Sequence, residues 1–326
     1  VRLDEAATPR HIRYLDLLGG RDDSETVFPD AVIESSGQPY LYVVRHDRLG
    51  DSGHAQTHLA GLVRILACRS DARFLAVVKP GSIDVYPVGL FENVPDAMLS
   101  GPSDSKSADL RGLLTGATFA SHDMNAGSSK IAKQWLEALL FRLLTDAARG
   151  IKLVAPKLSE QQVIALVGRA LFFRFLVDRR IVVEMDATAI AKNVNRLVEM
   201  FSTPANLVQV CRWMDSTFNG DLLSIGGKDY EALIATIGDG VNEVCRQLGN
   251  IQYRAVGGQL PLDWGGIEFR HVPVDMLSQV YEDFAHEFVP DLAQATSIHF
   301  TPRRLAEIVL DGAFSAVQSA QPYKAK

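Results

Sequence analysis

The pattern of apolar positions predicts that the first quarter of the chain alternates strands with helices. Helical spacing predicts a short opening helix over 9–18, and a longer apolar-periodic stretch predicts a helix over 58–68. The predicted strands, each bounded by turn residues, cover 31–33, 40–44, 74–78 and 83–88. This order of elements is typical of a compact α/β domain.

The rest of the chain has mostly helical periodicity. Residues 93–129 are rich in Ser, Gly, Asp and Pro, which indicates a linker around a short helix at 108–115. Ser159 with Gln162 three residues later predicts a capping box. The predicted helices are 132–149, 161–180, 188–201, 204–217, 229–248, 275–287 and 302–312. Within the extended stretch 251–272, the segment IEFRHV predicts a strand.

Length and pattern together predict an α/β plus α fold class with several units. The 326 residues are about twice the usual length of a single domain, ~150 residues. We expect an α/β domain over 1–95, a linker over 96–129, a helical connector domain over 130–250, and a last region over 251–326.

Composition excludes dominant disorder, since 47% of residues are hydrophobic and 22% are charged. The net charge of −6 gives no bulk attraction to nucleic acid or to an anionic membrane, so any DNA contact must be local. No long apolar run or signal-peptide order is present, and we expect a cytoplasmic protein without a membrane partner. Cys68, Cys211 and Cys245 lack metal-ligand spacing, which predicts reduced, buried thiols.

The helix predicted near the C-terminus has a sharply defined start. Thr301 is a good N-cap and Pro302 is a favoured first helical residue, while Leu305, Ile308 and Val309 share one apolar face. The N–H groups and positive dipole end of such a helix suit a carboxylate or a phosphate. Alternatively, Thr-Pro is an ordinary helix start.

Four phrases in order resemble one family. They are FFRFLVDRRIV (172–182), WMDSTFNGDLL (213–223), IEFRHVPVDMLSQVYEDF (267–284) and IHFTPRRLAEIVL (298–310). Together they are similar to the N-terminal and middle portion of N6-adenine DNA methyltransferases of bacterial restriction–modification and phage-defence systems, especially the large fused type. The resemblance is firm over about 160–326 and loose over 1–150.

The resemblance implies a cofactor and the residues at the edge of its binding pocket. Phe300, Thr301 and Pro302 match the Y/F-T-P motif, which in the family contacts the methionine end of S-adenosylmethionine. Arg303 and Arg304 follow as candidates for DNA phosphate contacts. The family continues into D-P-x-x-G-x-G and N-P-P-Y/F in a Rossmann-like domain, and neither motif occurs here. We therefore expect duplex DNA as a partner, a catalytic domain in cis or in trans, and no methyl transfer by this stretch alone.

Fused members often carry an N-terminal nuclease of the P-D…(D/E)-x-K type, which uses acids and a lysine around a metal ion. Here Asp30 and Glu34 are the candidate acids, but strand 40–44 offers neither acid nor lysine. We expect a degenerate nuclease-like domain without a metal, in which Asp30 and Glu34 are turn residues. The alternatives are a metal-dependent endonuclease acting through 1–95, or a non-catalytic DNA-binding or scaffold subunit.

The helix predicted over 161–180 carries four arginines. Arg169, Arg174, Arg179 and Arg180 do not share one helical face. We therefore expect them to be solvated surface charges.

Overall fold

The computed structural model describes most of the chain. The described residues are 1–3, 13–18, 26–35, 38–51, 53–89, 94, 96–97, 99–102, 128–218, 225, 229–253, 263–289, 305, 308–310, 312–313 and 315–316, and at 35, 38, 99–102 and 128–135 only the backbone is described. They form a mixed five-stranded sheet followed by a mostly helical region. The expected α/β plus α class is confirmed at this level.

The sheet has its strands in chain order. Helix α1 (Leu15–Leu18) precedes it, and helix α2 (Ala55–Arg69) connects the second strand to the third. The strands are β1 (Ala31–Ser35), β2 (Gln38–Arg45), β3 (Phe74–Lys79), β4 (Ser82–Pro87) and β5 (Leu99–Pro102). Among the described strands, β2 and β3 pair in parallel and the other neighbours are antiparallel. Helix α2 is the crossover that this parallel pair requires.

The two faces of the sheet bury different side chains because successive residues of a strand point to opposite sides. In β2, Tyr42 and Val44 belong to the main core, while Leu41 packs in a smaller cluster with Phe74 and Val85. Helix α2 contributes its apolar residues to the main core. The sheet is therefore covered by α2 on one face and carries a smaller apolar cluster on the other.

The helical region is organised around two long helices, α3 (Ser128–Val154) and α4 (Glu160–Asp178). The remaining helices are α5 (Ala187–Ile190), α6 (Pro204–Thr217), α7 (Tyr230–Ile237), α8 (Val241–Ile251) and α9 (Val274–Phe288). Helix α3 packs against α2, α4, α8 and α9, so it joins the sheet region to the helical region. The main core runs continuously from Leu3 to Val289.

Helix α4 is apolar on nearly all sides, and its position explains why. Thirteen of its residues are buried, including side chains on every face of the helix. A helix of this kind lies inside a core rather than on a surface. Its start is fixed by Ser159, whose side chain accepts from the Gln162 N–H at 3.1 Å while the Gln162 side chain accepts from the Ser159 N–H at 2.8 Å. The predicted capping box is confirmed.

Three predicted elements differ from the structure. The helix expected over 188–201 is only α5 and a 3₁₀ turn at Leu197–Glu199. The helix expected over 229–248 is interrupted by a 3₁₀ turn at Gly238–Gly240, where Gly238 has a φ of 67°. The segment IEFRHV, expected as a strand, is irregular backbone followed by a turn. In each case tertiary packing or a glycine outweighs the local apolar pattern.

Strand β5 lies within the range expected to be a linker. Its four residues pair with β4, and this Ser- and Gly-rich segment has none of the β-branched pattern that identifies a strand. The short helix predicted at 108–115 lies outside the described residues.

Candidate functional site

Asp30, the first candidate acid of the P-D…(D/E)-x-K nuclease pattern, lies immediately before β1. The Asp30 N–H donates to the carbonyl oxygen of Val43 at 2.8 Å, so Asp30 lies beside the end of β2. Its carboxylate accepts a hydrogen bond from the Arg45 backbone N–H at 2.8 Å. The Nε atoms of Arg45 and Arg48 lie 3.6 and 3.8 Å from its two oxygens. Two guanidinium groups thus already neutralise the carboxylate charge with which Asp30 would bind a metal ion.

Strand β2 supplies no second acid at this position. Val44, which precedes Arg45, is fully buried in the main core. Asp47 follows in the 3₁₀ turn His46–Leu49, where its side chain is exposed and lies 3.8 Å from the Arg45 Nε. The geometry brings Asp30 to the expected strand end but surrounds it with arginine rather than with the acid and lysine of metal-assisted hydrolysis.

The second candidate acid, Glu34, has a structural partner. It lies within β1 beside a register irregularity, so the expectation that it is a turn residue is wrong. Its Oε1 accepts a hydrogen bond from the Tyr14 hydroxyl at 2.5 Å. Burial and this acceptor raise the pKa of Tyr14 well above its usual value. Glu34 therefore satisfies a buried phenol, and the described residues include no group of three or more His, Cys, Asp or Glu side chains that could hold a metal ion.

The four arginines of the 161–180 segment are not solvated charges, with the exception of Arg180. Arg174 is fully buried on α4, where its Nε lies 2.9 Å from both carboxylate oxygens of Asp178. Its Nη atoms donate to the carbonyl oxygens of Ile251, Tyr253 and Ile267 at 3.0, 2.6 and 3.1 Å. The expectation of a surface charge is wrong here because the helix lies inside the core.

Arg169 makes a second buried junction. Its Nη1 donates to the Cys211 carbonyl oxygen at 3.0 Å, and its Nη2 lies 2.6 Å from the Asp215 carboxylate. The Tyr230 hydroxyl donates to the other oxygen of Asp215. Arg169 thereby ties α4 to α6 and α7.

The last two arginines, Arg179 and Arg180, directly follow the end of helix α4. Arg179 donates to the Val272 carbonyl oxygen at 2.8 Å and stacks over the Phe175 ring at 4.6 Å. Its partial burial lowers the pKa of the guanidinium. Arg180 is exposed and has a φ of 56°.

These contacts assemble three of the four phrases on which the resemblance rests. From the phrase 172–182, Arg174 and Asp178 bind the backbone of the phrase 267–284, where the Phe269 N–H donates to Asp178 at 3.0 Å. The ring centroids of Phe172 and Phe218 lie 5.2 Å apart, so the phrase 213–223 also packs against the phrase 172–182. Three segments far apart in the chain therefore form one packed unit.

A further buried network joins this unit to the sheet region. His271 donates from Nδ1 to Asp16 at 2.8 Å, and Arg69 of α2 forms an ion pair with the same carboxylate. Burial opposes ionisation of Asp16, but the His271 hydrogen bond and the Arg69 charge outweigh it and hold the pKa of Asp16 below its usual value. Arg69 also binds Asp71 at 2.7 Å. Sequence reasoning missed this network because its members are distant in the chain.

The predicted cofactor-edge and DNA-contacting residues lie outside the described residues. These are Phe300, Thr301, Pro302, Arg303 and Arg304. Directly after them, Leu305, Ile308, Val309 and Leu310 are helical and each more than half exposed. The apolar side chains expected on this helix are present at its surface.

The cysteines behave as expected. Cys68, Cys211 and Cys245 are free thiols and buried. Burial raises the pKa of Cys68 and of Cys211 to about 12, and that of Cys245 to about 11. Protonated, inaccessible thiols are poor metal ligands and nucleophiles.

Comparisons with known proteins give no relative. No protein-family model, no curated protein and no solved structure matches the chain. Among the described residues, no helix is long and apolar enough to cross a membrane. The case for a function therefore rests on the sequence phrases and on the packing between them.

Proposed function

We propose that the chain is the N-terminal part of a site-specific DNA adenine-N6 methyltransferase of a restriction–modification or phage-defence system. The observation that carries the proposal is the order of four family-like phrases at 172–182, 213–223, 267–284 and 298–310. This part orients a Rossmann-like catalytic domain, in cis or in trans, and contacts duplex DNA. Base flipping and methyl transfer belong to that domain.

The packing of the phrases supports the proposal. Motifs that recur together in a family are expected to share contacts, and the buried pair Arg174–Asp178 links the first phrase to the third. Helix α9, which belongs to the third phrase, packs on α3 and α4.

The cofactor of the proposed enzyme is S-adenosylmethionine. The chain supplies only one wall of its site, the Phe300–Thr301–Pro302 motif, and lacks the glycine-rich turn that holds the rest of the cofactor. The residues present therefore do not make a complete cofactor site. The exposed apolar helix that follows Arg304 is consistent with a neighbouring domain.

The Thr-Pro motif gives a binding prediction. In the complete enzyme, we expect Thr301→Ala to weaken S-adenosylmethionine binding several-fold, because the helix N-terminus no longer aligns with the carboxylate of the cofactor. Isothermal titration calorimetry measures the affinity. The matched control is Ser159→Ala, which removes another N-cap at a cost of about 1 kcal/mol in stability and leaves the affinity unchanged. Equal affinities for wild type and Thr301→Ala remove the site assignment.

The nuclease alternative predicts metal-dependent cleavage of DNA, and our account predicts none. We expect supercoiled plasmid to remain intact when the chain is incubated with Mg²⁺ or Mn²⁺, since Asp30 is paired with Arg45 and Arg48 and β2 supplies no acid beside it. Agarose gel electrophoresis detects nicking. Metal-dependent nicking that disappears in Asp30→Ala would establish an active nuclease and contradict this account of the sheet region.

A further inference from the structure

Two histidines lie one helical turn apart at the start of α2, in a region that the proposed function does not use. His54 is the N-cap of the helix and His58 follows four residues later. Their rings lie nearly parallel, with an angle of 25° between their planes and 6.1 Å between their centroids. Histidines at positions i and i+4 share one face of a helix, which is the spacing that the H-E-x-x-H motif uses to bind zinc.

The hydrogen bonds of His58 fix which ring nitrogen is available. Its Nδ1 lies 2.8 Å from the carbonyl oxygen of Leu49, and a carbonyl oxygen only accepts. Nδ1 therefore carries the hydrogen, and in the neutral ring the lone pair lies on Nε2. A metal-binding histidine typically donates its other N–H to a backbone carbonyl or a carboxylate in the same way.

His54 has the same arrangement with a carboxylate. Its Nδ1 lies 2.8 Å from the Oδ1 of Asp51, three residues earlier. An ionised carboxylate has no hydrogen to donate, so Asp51 accepts and the Nδ1 of His54 donates. The lone pair of neutral His54 is consequently also on Nε2. Both rings thus have the donor nitrogen needed for a metal, and both have a partner that fixes the ring.

The local backbone holds these partners beside the helix. Gly50, with a φ of 82°, turns the chain between Leu49 and Asp51. A side-chain carbon at Gly50 would come 3.6 Å from the Nδ1 of His58 and 3.9 Å from the Cβ of His54, so the turn lies against both histidines. The side chain of His54 is 73% exposed and that of His58 is half-buried, so an ion from solution has access to the pair from the side of His54.

We propose that His54 and His58 chelate one Zn²⁺, or a similar transition-metal ion, through their two Nε2 atoms. Asp51 and the Leu49 carbonyl group form the outer shell, and water completes the coordination. Imidazole nitrogen suits Zn²⁺, Ni²⁺ and Cu²⁺, whereas Mg²⁺ prefers oxygen ligands. The site does not involve Asp30 or Glu34. It contains no glutamate that could act as a general base, and we assign it no catalytic step. Its role is to bind an ion and to link residues 46–51 to α2.

Titration of the full chain with ZnCl₂ tests the site. We expect wild type to bind Zn²⁺ at a site that is weakened at least 10-fold in His54→Ala and in His58→Ala. The matched control is His286→Ala, which removes a partly buried histidine from helix α9 and is expected to leave Zn²⁺ affinity unchanged. Titration with MgCl₂ is expected to give no signal that depends on His54 or His58.

The outer shell gives a second pair of variants. We expect Asp51→Asn to weaken Zn²⁺ binding about 10-fold, while Asp47→Asn, an exposed acid nearby in the chain, has no effect. His54→Ala leaves the bond between His58 and Leu49 intact, and circular dichroism verifies that the variant is folded. If folded His54→Ala binds Zn²⁺ as tightly as wild type, the proposal is wrong.

Discussion

Replacing Arg174 with alanine is expected to lower the free energy of unfolding by about 3–5 kcal/mol. The change leaves Asp178 as a buried carboxylate without its cation, and it removes the donors to three carbonyl oxygens, those of Ile251, Tyr253 and Ile267. Breaking a buried ion pair on one side is costly because the remaining charge is not solvated. Urea unfolding followed by circular dichroism measures the loss as a lower midpoint.

Two further variants show whether charge or geometry matters at this position. Arg174→Lys keeps the charge, but one ammonium group cannot reach a carboxylate and three carbonyl oxygens at once, so we expect only partial rescue. The matched control is Arg246→Ala, because Arg246 forms an exposed pair with Glu243 one turn away on α8. Exposed pairs of this kind contribute little, and its midpoint is expected to match wild type. An unchanged midpoint for Arg174→Ala would contradict the central role of this arginine in the core.

The sequence predicts elements well where local signals are strong. The capping box at Ser159 and the Thr203–Pro204 start of α6 fix helix ends through side-chain contacts within three residues. Strands β1 to β4 follow β-rich runs bounded by turns, whereas β5 has no such run. Such signals are local, so they survive folding.

The sequence fails where distant contacts decide the outcome. Arg174 in FFRFLVD is an exception with a local signal, because its helix is apolar on nearly all sides and Asp178 lies four residues later as its ion-pair partner. The angular positions of the four arginines around the helix, taken alone, predict solvated charges instead. The junction of Asp16, Arg69 and His271 has no local signal, since its members are separated by up to 255 residues. Their proximity depends on tertiary packing.

The candidate site divides along the same line. The lack of an acid and a lysine in β2 is read directly from the sequence, but only the structure shows that Arg45 and Arg48 lie beside Asp30. The pairing of Glu34 with Tyr14 is likewise a tertiary contact. The Phe300–Arg304 motif rests on the sequence alone, because it lies outside the described residues.

The other large expected effect concerns methyl transfer, which we expect from the complete enzyme and not from this chain alone. We expect this chain alone to transfer no methyl group to DNA, because it lacks both D-P-x-x-G-x-G and N-P-P-Y/F. The complete enzyme, with the catalytic domain in cis or added in trans, is expected to produce N6-methyladenine at a defined sequence. The chain and the domain are each necessary for that activity in our proposal.

The most direct measurement uses radiolabelled S-adenosylmethionine and duplex DNA of mixed sequence. Label in the DNA is counted for this chain, for the complete enzyme and for a control without protein, and the modified nucleoside is identified after digestion. Our account predicts N6-methyladenine with the complete enzyme and only background label with this chain. Label well above background with this chain alone, or no adenine methylation by the complete enzyme, would contradict it.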